Sequence, residues 1–478
     1  MPRRTKIVCT LGPASTDPKV LSRMIEAGMD VVRINFSHGT SEEHAKRVEM
    51  IRSLARAAGR TIGVLMDLQG PKIRIGKFEN GKTVLKPGAK FILDAECQLG
   101  NDERVGLDYA SLPQDVHPGD SLLLNDGLIV LSVVSVQGPL IHTTVEQGGV
   151  LSNNKGINRL GGGLSAPALT EKDMQDIQVA ADLKADYLGV SFPRSAEDIE
   201  LARSLLHKAG GGALICAKIE RAEAITALEE IVDASDIIMV ARGDLAVEVG
   251  DAVIPALQKR MIRLSRMKNK LVITATQMME SMINSPIPTR AEVSDCANAV
   301  HDGTDAVMTS AETAAGQYPV ETVQAMARVC VEAEKVDMAT LEQRRAESTA
   351  ARDVESAIGR AVMSTANYLP IKAIAALTQS GKTAQLMSRN DSAVPIYALS
   401  PLVETRRRVT LFRGVYPINF AVKSKDPEET LNNAEDELLR RGAVKNGDLI
   451  IITIGEPFGK AGGTNTIKIV RVGEHRKP

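Results

Sequence analysis

Three charged side chains stand at the ends of two short apolar segments of this sequence. The segment Ala213–Glu220 carries Lys218 and Glu220, and the segment Asp236–Asp244 ends in Asp244. Both segments have the continuous apolar character of strands that are buried on both faces. Because Lys218 and Glu220 are two residues apart, they point to the same face of a strand.

An ammonium and two carboxylates at the edge of a buried sheet are costly unless they are paired or bound to a metal. One interpretation is a structural ion pair. The other is a divalent metal ion bound by Glu220 and Asp244, with Lys218 facing an anionic substrate. The rest of the sequence is needed to choose between them.

Polar side chains also end a second strand-like segment near residue 35. Arg33, Asn35 and Ser37 alternate and therefore share one face. The forked donors of an arginine suit a phosphate, although Arg33 also suits a structural place at the edge of a sheet. His38 is either a general acid or an orienting hydrogen-bond donor.

Similar groups follow the third, seventh and eighth strand-like segments, at Asp67–Arg74, Thr274–Met278 and Thr309–Thr313. Polar residues thus end six of the predicted strands. A single such cluster suits a structural role, but convergence of six on one face favours a catalytic site.

The elements that must position these residues follow a βα rhythm. Strand-like segments begin near Lys6, Asp30, Thr61, Asp186, Ala213, Asp236, Lys270 and Asp305. Helical patterns lie between them, including Pro18–Ala27, Glu42–Ala57 and Ala222–Val232. This count and spacing predict a (β/α)8 TIM barrel, whose active site would lie at the carboxyl ends of the strands.

The long interval between the third and fourth strands predicts an inserted domain. Asn80-Gly81 and Asp126-Gly127 are typical of hairpin turns, and the segments around them are rich in β-branched residues. We therefore predict a small antiparallel, β-barrel-like lid domain over residues 69–166, with the barrel formed by 1–68 and 167–340.

A third region begins with a charged helical stretch at Leu341–Arg352. The predicted C-terminal domain, 341–478, is an α/β domain of its own, with strands and helices in the following places: Ile371–Thr378, Val394–Leu399, Tyr416–Phe420, Leu449–Ile454 and Thr466–Val472 for the strands, and Asp353–Asn367 and Glu428–Arg440 for the helices.

Composition excludes several classes of function. The 478 residues are 44% hydrophobic and 24% charged, with a formal net charge of -1, so a nucleic-acid partner is not expected. No apolar run approaches a membrane span, and the chain enters its first strand too early for a signal peptide. The five scattered cysteines predict reduced thiols and a cytoplasmic location.

Five motifs together resemble the pyruvate kinase family over essentially the full length of the chain. They are Arg33-Ile-Asn-Phe-Ser-His-Gly39, Asp67-Leu-Gln-Gly-Pro-Lys-Ile-Arg74, the block Ala217-Lys-Ile-Glu-Arg-Ala-Glu-Ala-Ile225, and Ala241-Arg-Gly-Asp244 followed by Ala275-Thr-Gln-Met278. The resemblance implies phosphoryl transfer from phosphoenolpyruvate to ADP, giving pyruvate and ATP in glycolysis. It also implies a homotetramer.

The resemblance assigns roles to the residues at the predicted mouth of the barrel. Glu220 and Asp244 would bind Mg²⁺, or Mn²⁺ in its place, because both ions prefer carboxylate oxygens. Lys218 would neutralise charge on the transferred phosphoryl group, and Arg33 would hold it. The remaining roles are the backbone at Gly243 and Asp244 for the substrate carboxylate, Thr276 for protonation of the enolate, and Asn35, His38, Arg74 and Lys155 for the nucleotide. Lys155 also suits an ordinary solvated loop.

One departure from the family pattern concerns the monovalent cation. Most members resemble Asp-Thr-Lys-Gly-Pro-Glu at the third strand and need K⁺, whereas this chain has Leu68, Gln69 and Lys72. The region corresponds to Asn35, Ser37, Asp67, Leu68 and Lys72. An ammonium where others carry a carboxylate shifts the local charge by two units, so we hypothesise that K⁺ is not required.

The C-terminal domain offers a second phosphate-binding motif, Thr378-Gln-Ser-Gly-Lys-Thr383. It resembles a P-loop from which the first glycine is missing. The resemblance implies an allosteric site for a sugar phosphate or AMP, formed by Thr378, Ser380, Gly381, Lys382 and Thr383. Residues 462–465 would form a facing loop, and the alternative is an ordinary strand–helix junction.

Two rival functions use part of the same features. A Mg²⁺-dependent barrel lyase or mutase would share the metal carboxylates but would need neither the lid nor Lys218. A non-catalytic sensor of phosphometabolites would use only the C-terminal loop, and the complete set of polar strand ends argues against it.

Overall fold

The computed structural model describes residues 2–335, 353–390, 392–422, 426–455 and 463–474. They form a closed barrel of parallel strands, a mainly antiparallel region and a C-terminal α/β sheet, which is the predicted fold class. The three predicted domain boundaries stay predictions. The predicted helical stretch Leu341–Arg352 lies outside the described residues.

Eight parallel strands close the barrel in chain order. They are Lys6–Thr10, Val31–Asn35, Gly63–Asp67, Tyr187–Val190, Leu214–Ile219, Ile237–Ala241, Leu271–Ala275 and Ala306–Thr309. Each begins within two residues of its predicted start. Because all eight run in the same direction, their carboxyl ends meet at one mouth of the barrel.

Helices surround the barrel and cover its outward-facing side chains. Their bounds are Pro18–Ala27, Ser41–Ala57, Glu171–Asp182, Ala196–Lys208, Ala222–Thr226, Leu228–Ala234, Arg242–Val249, Ile254–Met267, Arg290–Asp302, Ala311–Ala314 and Pro319–Ala333, with 3-10 turns at Pro13–Ser15, Asp251–Val253 and Glu280–Ile283. The single helix predicted over Ala222–Val232 is wrong in one respect, because Ala227 separates two shorter helices.

The insertion after the third strand contains two small sheets. Lys82–Leu85 pairs with Gly149–Ser152, and a six-stranded sheet has the order Ile157–Arg159, Ser121–Leu124, Ile129–Gln137, Leu140–Gln147, Lys90–Asp94 and Arg104–Val105. All of these pairs are antiparallel except the last, and a short helix lies at Leu112–Asp115.

Only one of the two predicted hairpins is present. The loop that contains Asp126-Gly127 joins two paired strands, with Leu124 opposite Ile129. At Asn80-Gly81 the amide of Gly81 donates to the carbonyl of Phe78, so a turn exists. The flanking segments pair elsewhere, since Phe78 bridges to Gly100 and the next strand pairs with Gly149–Ser152.

The C-terminal sheet has the order Val415–Asn419, Ile396–Ser400, Ile371–Leu377, Leu449–Gly455 and Thr464–Arg471, with only the last pair antiparallel. Its helices are Val354–Tyr368, Lys382–Ser388, Val403–Arg408 and Pro427–Arg440, and a 3-10 turn lies at Val409–Leu411. All five predicted strands are confirmed, with ends that differ by one or two residues.

The amino ends of the barrel strands rest on this C-terminal sheet. The apolar side chains inside the barrel form one continuous cluster with side chains such as Phe412 of the C-terminal region. The hydroxyl of Tyr187 donates to the carbonyl of Arg408 at 2.8 Å. Arg389 and Asp305 form an ion pair in which both side chains are buried. The barrel mouth therefore lies opposite to this junction.

Among the residues that the structure describes, no helix has the length and apolar character needed to cross a membrane.

Asp186 at this junction generates a prediction on stability. Burial raises its pKa to about 7, although its carboxylate accepts the amide of Val64. The folded chain therefore binds this proton more tightly than the unfolded chain. The resulting stabilisation is complete below the ordinary aspartate pKa of about 4 and is lost as the pH rises through about 7.

Asp186→Asn is therefore expected to have little effect on unfolding at pH 4 and to stabilise the protein at pH 8, by up to about 4 kcal/mol. Urea and thermal unfolding at the two pH values measure this. Asp182→Asn, an exposed aspartate, is the control. An equal effect of Asp186→Asn at both pH values would contradict the prediction.

Candidate active site

Cations and carboxylates from three strands meet in the mouth of the barrel. Arg33 donates through Nε to Asp67 Oδ2 at 2.7 Å. The Lys218 ammonium lies 3.0 Å from Glu220 Oε1 and 3.4 Å from Asp67 Oδ1. Asp67 is 0% exposed, Glu220 2% and Lys218 8%. Lys218 and Glu220 thus share one face of their strand, as the spacing predicts.

Ser191 completes the surroundings of Lys218 and was missed by the sequence analysis. Its Oγ accepts the Lys218 ammonium at 2.7 Å and donates to the carbonyl of Leu68, also at 2.7 Å. Ser191 directly follows the fourth barrel strand. Applying the rule of polar groups at strand ends to this strand would have found it.

Two neighbours of Ser191 fix the carboxylates through their backbone. The amide of Phe192 donates to Glu220 Oε2 at 3.0 Å, and Phe192 adopts a positive φ of 55° to do so. A Cβ atom at Gly189 would lie 2.6 Å from Asp67 Oδ1, so only glycine fits there. Neither residue has a side-chain signal that identifies it from the sequence.

The charges in this network shift one another's pKa values. Burial alone would raise the pKa of Asp67, but Lys218 and Arg33 outweigh burial and hold this pKa below its usual range. Burial likewise opposes the charged form of Lys218, yet Asp67 and Glu220 raise its pKa. For Glu220, burial and the nearby Asp244 carboxylate raise the pKa against the effect of Lys218. The two carboxylates therefore favour the charged form of Lys218, and an added cation would favour the charged form of Glu220.

Asp244 lies in the first turn of the helix Arg242–Val249, which begins where the sixth strand ends. Its Oδ1 is 3.0 Å from the ammonium of Lys72, and both side chains are about a quarter exposed. The structure therefore brings Lys72 to Asp244. The hydrogen bonds of the described residues do not bring it to Asn35, Ser37 or Asp67.

The Glu220 and Asp244 carboxylates fit a divalent ion that prefers oxygen ligands. Each now contacts an ammonium, Lys218 for Glu220 and Lys72 for Asp244, so each already lies beside a positive charge. In the described part of the chain no group of three or more His, Cys, Asp or Glu is arranged to hold a metal. Two carboxylates suit Mg²⁺, which keeps waters and substrate oxygens as its other ligands.

Thr276 and Gly243 lie together at the ends of neighbouring strands. The Gly243 amide donates to Thr276 Oγ1 at 2.8 Å, and that hydroxyl donates to the Ala275 carbonyl at 2.6 Å. Thr276 has a φ of 68°, which is costly for a β-branched residue. Arg242 holds this strained backbone by donating to the Thr276 carbonyl at 2.7 Å. Strain of this kind is common at functional sites.

Comparison with known proteins agrees with this geometry. A family model described as the barrel domain of pyruvate kinase matches residues 2–323, and one for its alpha/beta domain matches residues 356–470. Pyruvate kinase II of Salmonella typhimurium is 52% identical over 476 residues, which cover 98% of this chain and 99% of that protein. Pyruvate kinase of Haemophilus influenzae is 52% identical over 459 residues, covering 95% and 96%. The chain belongs to the pyruvate kinase family.

As a pyruvate kinase, the protein transfers a phosphoryl group from phosphoenolpyruvate to ADP and produces pyruvate and ATP. This excludes the lyase or mutase and the non-catalytic sensor as its main function. The lyase or mutase shared the metal carboxylates and the sensor shared the C-terminal loop, but neither accounts for a match that extends over nearly the whole chain.

The residues predicted for the nucleotide lie in two places on this pyruvate kinase. Asn35 Oδ1 accepts the amide of Ser37 at 3.0 Å, and the carbonyl of Asn35 accepts the amide of His38 at 3.3 Å. The His38 side chain is exposed in this loop. These residues form a turn at the end of the second strand.

Arg74 and Lys155 lie together at the base of the inserted domain. Arg74 forms a β-bridge with Gly156, the neighbour of Lys155, and donates to the carbonyl of Asn154 at 3.2 Å. The carbonyl of Lys155 accepts the amide of Ile75. The two cations therefore belong to adjacent backbone segments, even though they are far apart in the sequence.

The polar end of the eighth strand has a different character from the other five. The hydroxyls of Thr309 and Thr313 lie 2.9 Å apart, and Thr313 donates to the carbonyl of Thr10. Glu312 accepts the amides of Met279 and Ser310. These side chains are buried and hydrogen-bonded to one another or to backbone, so their role at this strand end is structural.

The predicted effector residues form a compact loop before the helix Lys382–Ser388. Thr378 Oγ1 accepts the amide of Gly381 at 2.9 Å, and Ser380 Oγ accepts the amide of Lys382 at 3.3 Å. Gly381 has a φ of 85°, and a Cβ there would lie 2.8 Å from Val409 Cγ1. The turn therefore requires glycine, as a P-loop-like motif predicts.

Two further contacts define the surroundings of this loop. Thr383 Oγ1 lies 2.6 Å from Thr464 Oγ1, within the predicted facing segment, of which Gly462 lies outside the described residues. The Lys382 ammonium is 2.8 Å from Glu355, a buried glutamate. The sequence analysis missed Glu355, which has no motif that identifies it.

Proposed function

We propose that Arg33 and Lys218 hold the phosphoryl group during its transfer from phosphoenolpyruvate. The observation that carries this proposal is their joint attachment to the buried carboxylate of Asp67. During transfer the phosphoryl group carries negative charge on three oxygens. Catalysis therefore needs fixed cations more than it needs covalent chemistry. Both cations point into the same mouth and are held there before a substrate arrives.

Pyruvate kinases generally use Mg²⁺, and Glu220 with Asp244 would hold it in this chain, with Mn²⁺ as an alternative. When bound, the ion would supply positive charge that stabilises the negative charge of the substrate. An ion at Asp244 would compete with Lys72, whose ammonium contacts one oxygen of that carboxylate. Glu220 keeps its orientation through the amide of Phe192.

The remaining roles follow from the backbone around Gly243 and Thr276. The backbone amides of Gly243 and Asp244 would bind the substrate carboxylate, since amides at a helix start favour anions. The Gly243 amide would give up its present contact with Thr276 Oγ1 to do so. Thr276 would position the proton that is added to the enolate, either directly or through a water. Its hydroxyl is already oriented by two backbone contacts, to Gly243 and Ala275.

ADP would lie between the barrel mouth and the inserted domain. Asn35 and His38 reach it from the barrel, while Arg74 and Lys155 reach it from the base of the insertion. This arrangement is supported by the position of the insertion, which follows the third strand and so lies beside the mouth. Its cations suit the diphosphate of the nucleotide.

We infer three further properties. The P-loop-like segment would make the enzyme allosteric, with a sugar phosphate or AMP as effector. The homotetramer and the cytoplasmic location rest on family membership, and the five free cysteines suit a reducing compartment.

Lys218→Met tests the central assignment. Loss of one preorganised cation is expected to lower kcat by at least ~10²–10³. A coupled assay of pyruvate formation measures it, and circular dichroism checks folding. Lys208→Met, at an exposed lysine, is the matched control. Turnover near that of the unmodified enzyme would refute the role of Lys218.

The hypothesis of K⁺ independence depends on Lys72. We expect activity in buffer free of K⁺ and Na⁺, with added KCl changing it by less than about twofold. Lys72→Glu removes the fixed cation and is expected to make turnover depend on KCl. Lys77→Glu, at an exposed lysine nearby, is the control. Strong activation of the unmodified enzyme by KCl would contradict the hypothesis.

Lys382→Ala tests the effector site. The concentration of sugar phosphate or AMP that gives half-maximal activation is expected to rise about tenfold or more, because a charge-assisted contact with phosphate is lost. Kinetics at low phosphoenolpyruvate measure the effector concentration at half-maximal activation. Lys372→Ala, an exposed lysine of the same sheet, is the control, and an unchanged response of Lys382→Ala would argue for another site.

A further inference from the structure

A buried carboxylate lies beside the effector loop, the name used here for residues 378–383. It belongs to Glu355, which is in the first turn of the helix Val354–Tyr368 and is 6% exposed. Its Oε2 is 2.8 Å from the Lys382 ammonium. Apart from this ion pair, neither carboxylate oxygen accepts a hydrogen bond from a described residue. A carboxylate that is shielded from water and has one partner is poorly compensated for its burial.

The partner of this carboxylate is a cation that is free to turn. The Lys382 side chain is 53% exposed, and its hydrogen bond to Glu355 raises its pKa, so it stays charged. Its flexible stem can carry the ammonium from Glu355 to a ligand in the loop. If it does so, the buried carboxylate loses its ion pair, and an unpaired buried charge is strongly unfavourable.

The two helices that carry these residues do not need the ion pair to pack together. A Cβ at Gly359 would lie 3.4 Å from Leu386 Cβ, so the helices are already in close contact. Val362 of the first helix and Met387 of the second are 0% exposed and belong to one apolar cluster. An acid with a purely structural role at the edge of such a contact would ordinarily keep its carboxylate in water. The burial of Glu355 therefore indicates a role in the effector loop.

A phosphate that binds in this loop competes with Glu355 for the same ammonium. A ligand that offers only a phosphate takes the cation and places a second negative charge near the carboxylate. A ligand that also carries a hydroxyl or amino group can donate a hydrogen bond to Glu355 in place of Lys382. Discrimination between the two follows from the penalty on the first as much as from the contacts of the second.

We propose that Glu355 determines the specificity of the effector loop, by admitting phosphate esters that carry hydroxyl or amino donors and excluding those that have none. The phosphate pairs with Lys382, and a donor of the same molecule occupies the place of that ammonium beside Glu355. The inference rests on the proposed effector site. It defines the ligand class by two features, a phosphate and a nearby donor, which sugar phosphates and AMP share.

Isothermal titration calorimetry of the full-length enzyme at pH 8 compares glucose 6-phosphate with cyclohexylmethyl phosphate, whose ring has a similar size but no hydroxyl groups. Lys382→Ala identifies binding at the loop, because the affinity that this variant removes belongs there. We expect the unmodified protein to bind glucose 6-phosphate at the loop about tenfold more tightly, or more. If the loop binds AMP instead, AMP and 2′,3′-dideoxy-AMP form the corresponding pair.

Glu355→Gln removes the negative charge but keeps an acceptor for a hydroxyl group. It is expected to tighten the binding of cyclohexylmethyl phosphate about tenfold, because no carboxylate then holds Lys382. The affinity for glucose 6-phosphate is expected to change by less than about threefold. Glu429→Gln, at an exposed acid that also lies in the first turn of a helix, is the matched control and is expected to change neither affinity.

The outcomes separate the two proposals. If Lys382→Ala removes no binding of any of these phosphates, the effector site itself is wrong, and the role of Glu355 with it. If Lys382→Ala removes binding but Glu355→Gln leaves the ratio of the two affinities unchanged, the role of Glu355 alone is wrong. If Glu355→Gln does not fold, the unmodified protein decides, since equal affinities for the two ligands of a pair would overturn the inference.

Discussion

The site depends on one buried carboxylate that holds two cations. Asp67 has no solvent exposure, and it accepts Arg33 on one oxygen and faces Lys218 with the other. A charge without water is tolerable only when it is paired, so each of these groups requires the others. Lys218 in turn orients Glu220. The result is a mouth whose cations are fixed in place by the fold rather than by a ligand.

This arrangement requires small or unusual backbone at its edges. Asp67 can lie beside the fourth strand only because Gly189 has no side chain, and Glu220 is held by an amide of Phe192 in a left-handed conformation. At the opposite end the barrel needs no such compromise. There its apolar interior runs into the C-terminal sheet, and the buried Arg389–Asp305 pair ties the two regions together. Stability and chemistry are thus assigned to opposite ends of the same strands.

The sequence predicted the repeated strands of the barrel and the charged side chains at their ends. Strand starts were recovered within two residues because each strand is a continuous apolar run, and Lys218 with Glu220 was found because strand geometry fixes residues two apart. Contacts made by backbone left no such signal. Ser191, although polar and at a strand end, was overlooked, and the Asn80-Gly81 turn was read as a hairpin because pairing depends on distant Gly100 and Gly149–Ser152. The partner of Lys72 depends on a long-range contact with Asp244 that local pattern cannot supply.

The contacts of Lys218 show how the site is prepared for an anion. Its ammonium has three protons and three acceptors, Ser191 at 2.7 Å, Glu220 at 3.0 Å and Asp67 at 3.4 Å. The last distance is an ion pair but too long for a good hydrogen bond, and that oxygen of Asp67 has no hydrogen-bond donor. An incoming phosphoryl oxygen would therefore replace the weakest of the three contacts. Since Arg33 would still neutralise Asp67, the exchange would leave no carboxylate unpaired, which agrees with the proposed role of Lys218 in holding the phosphoryl group.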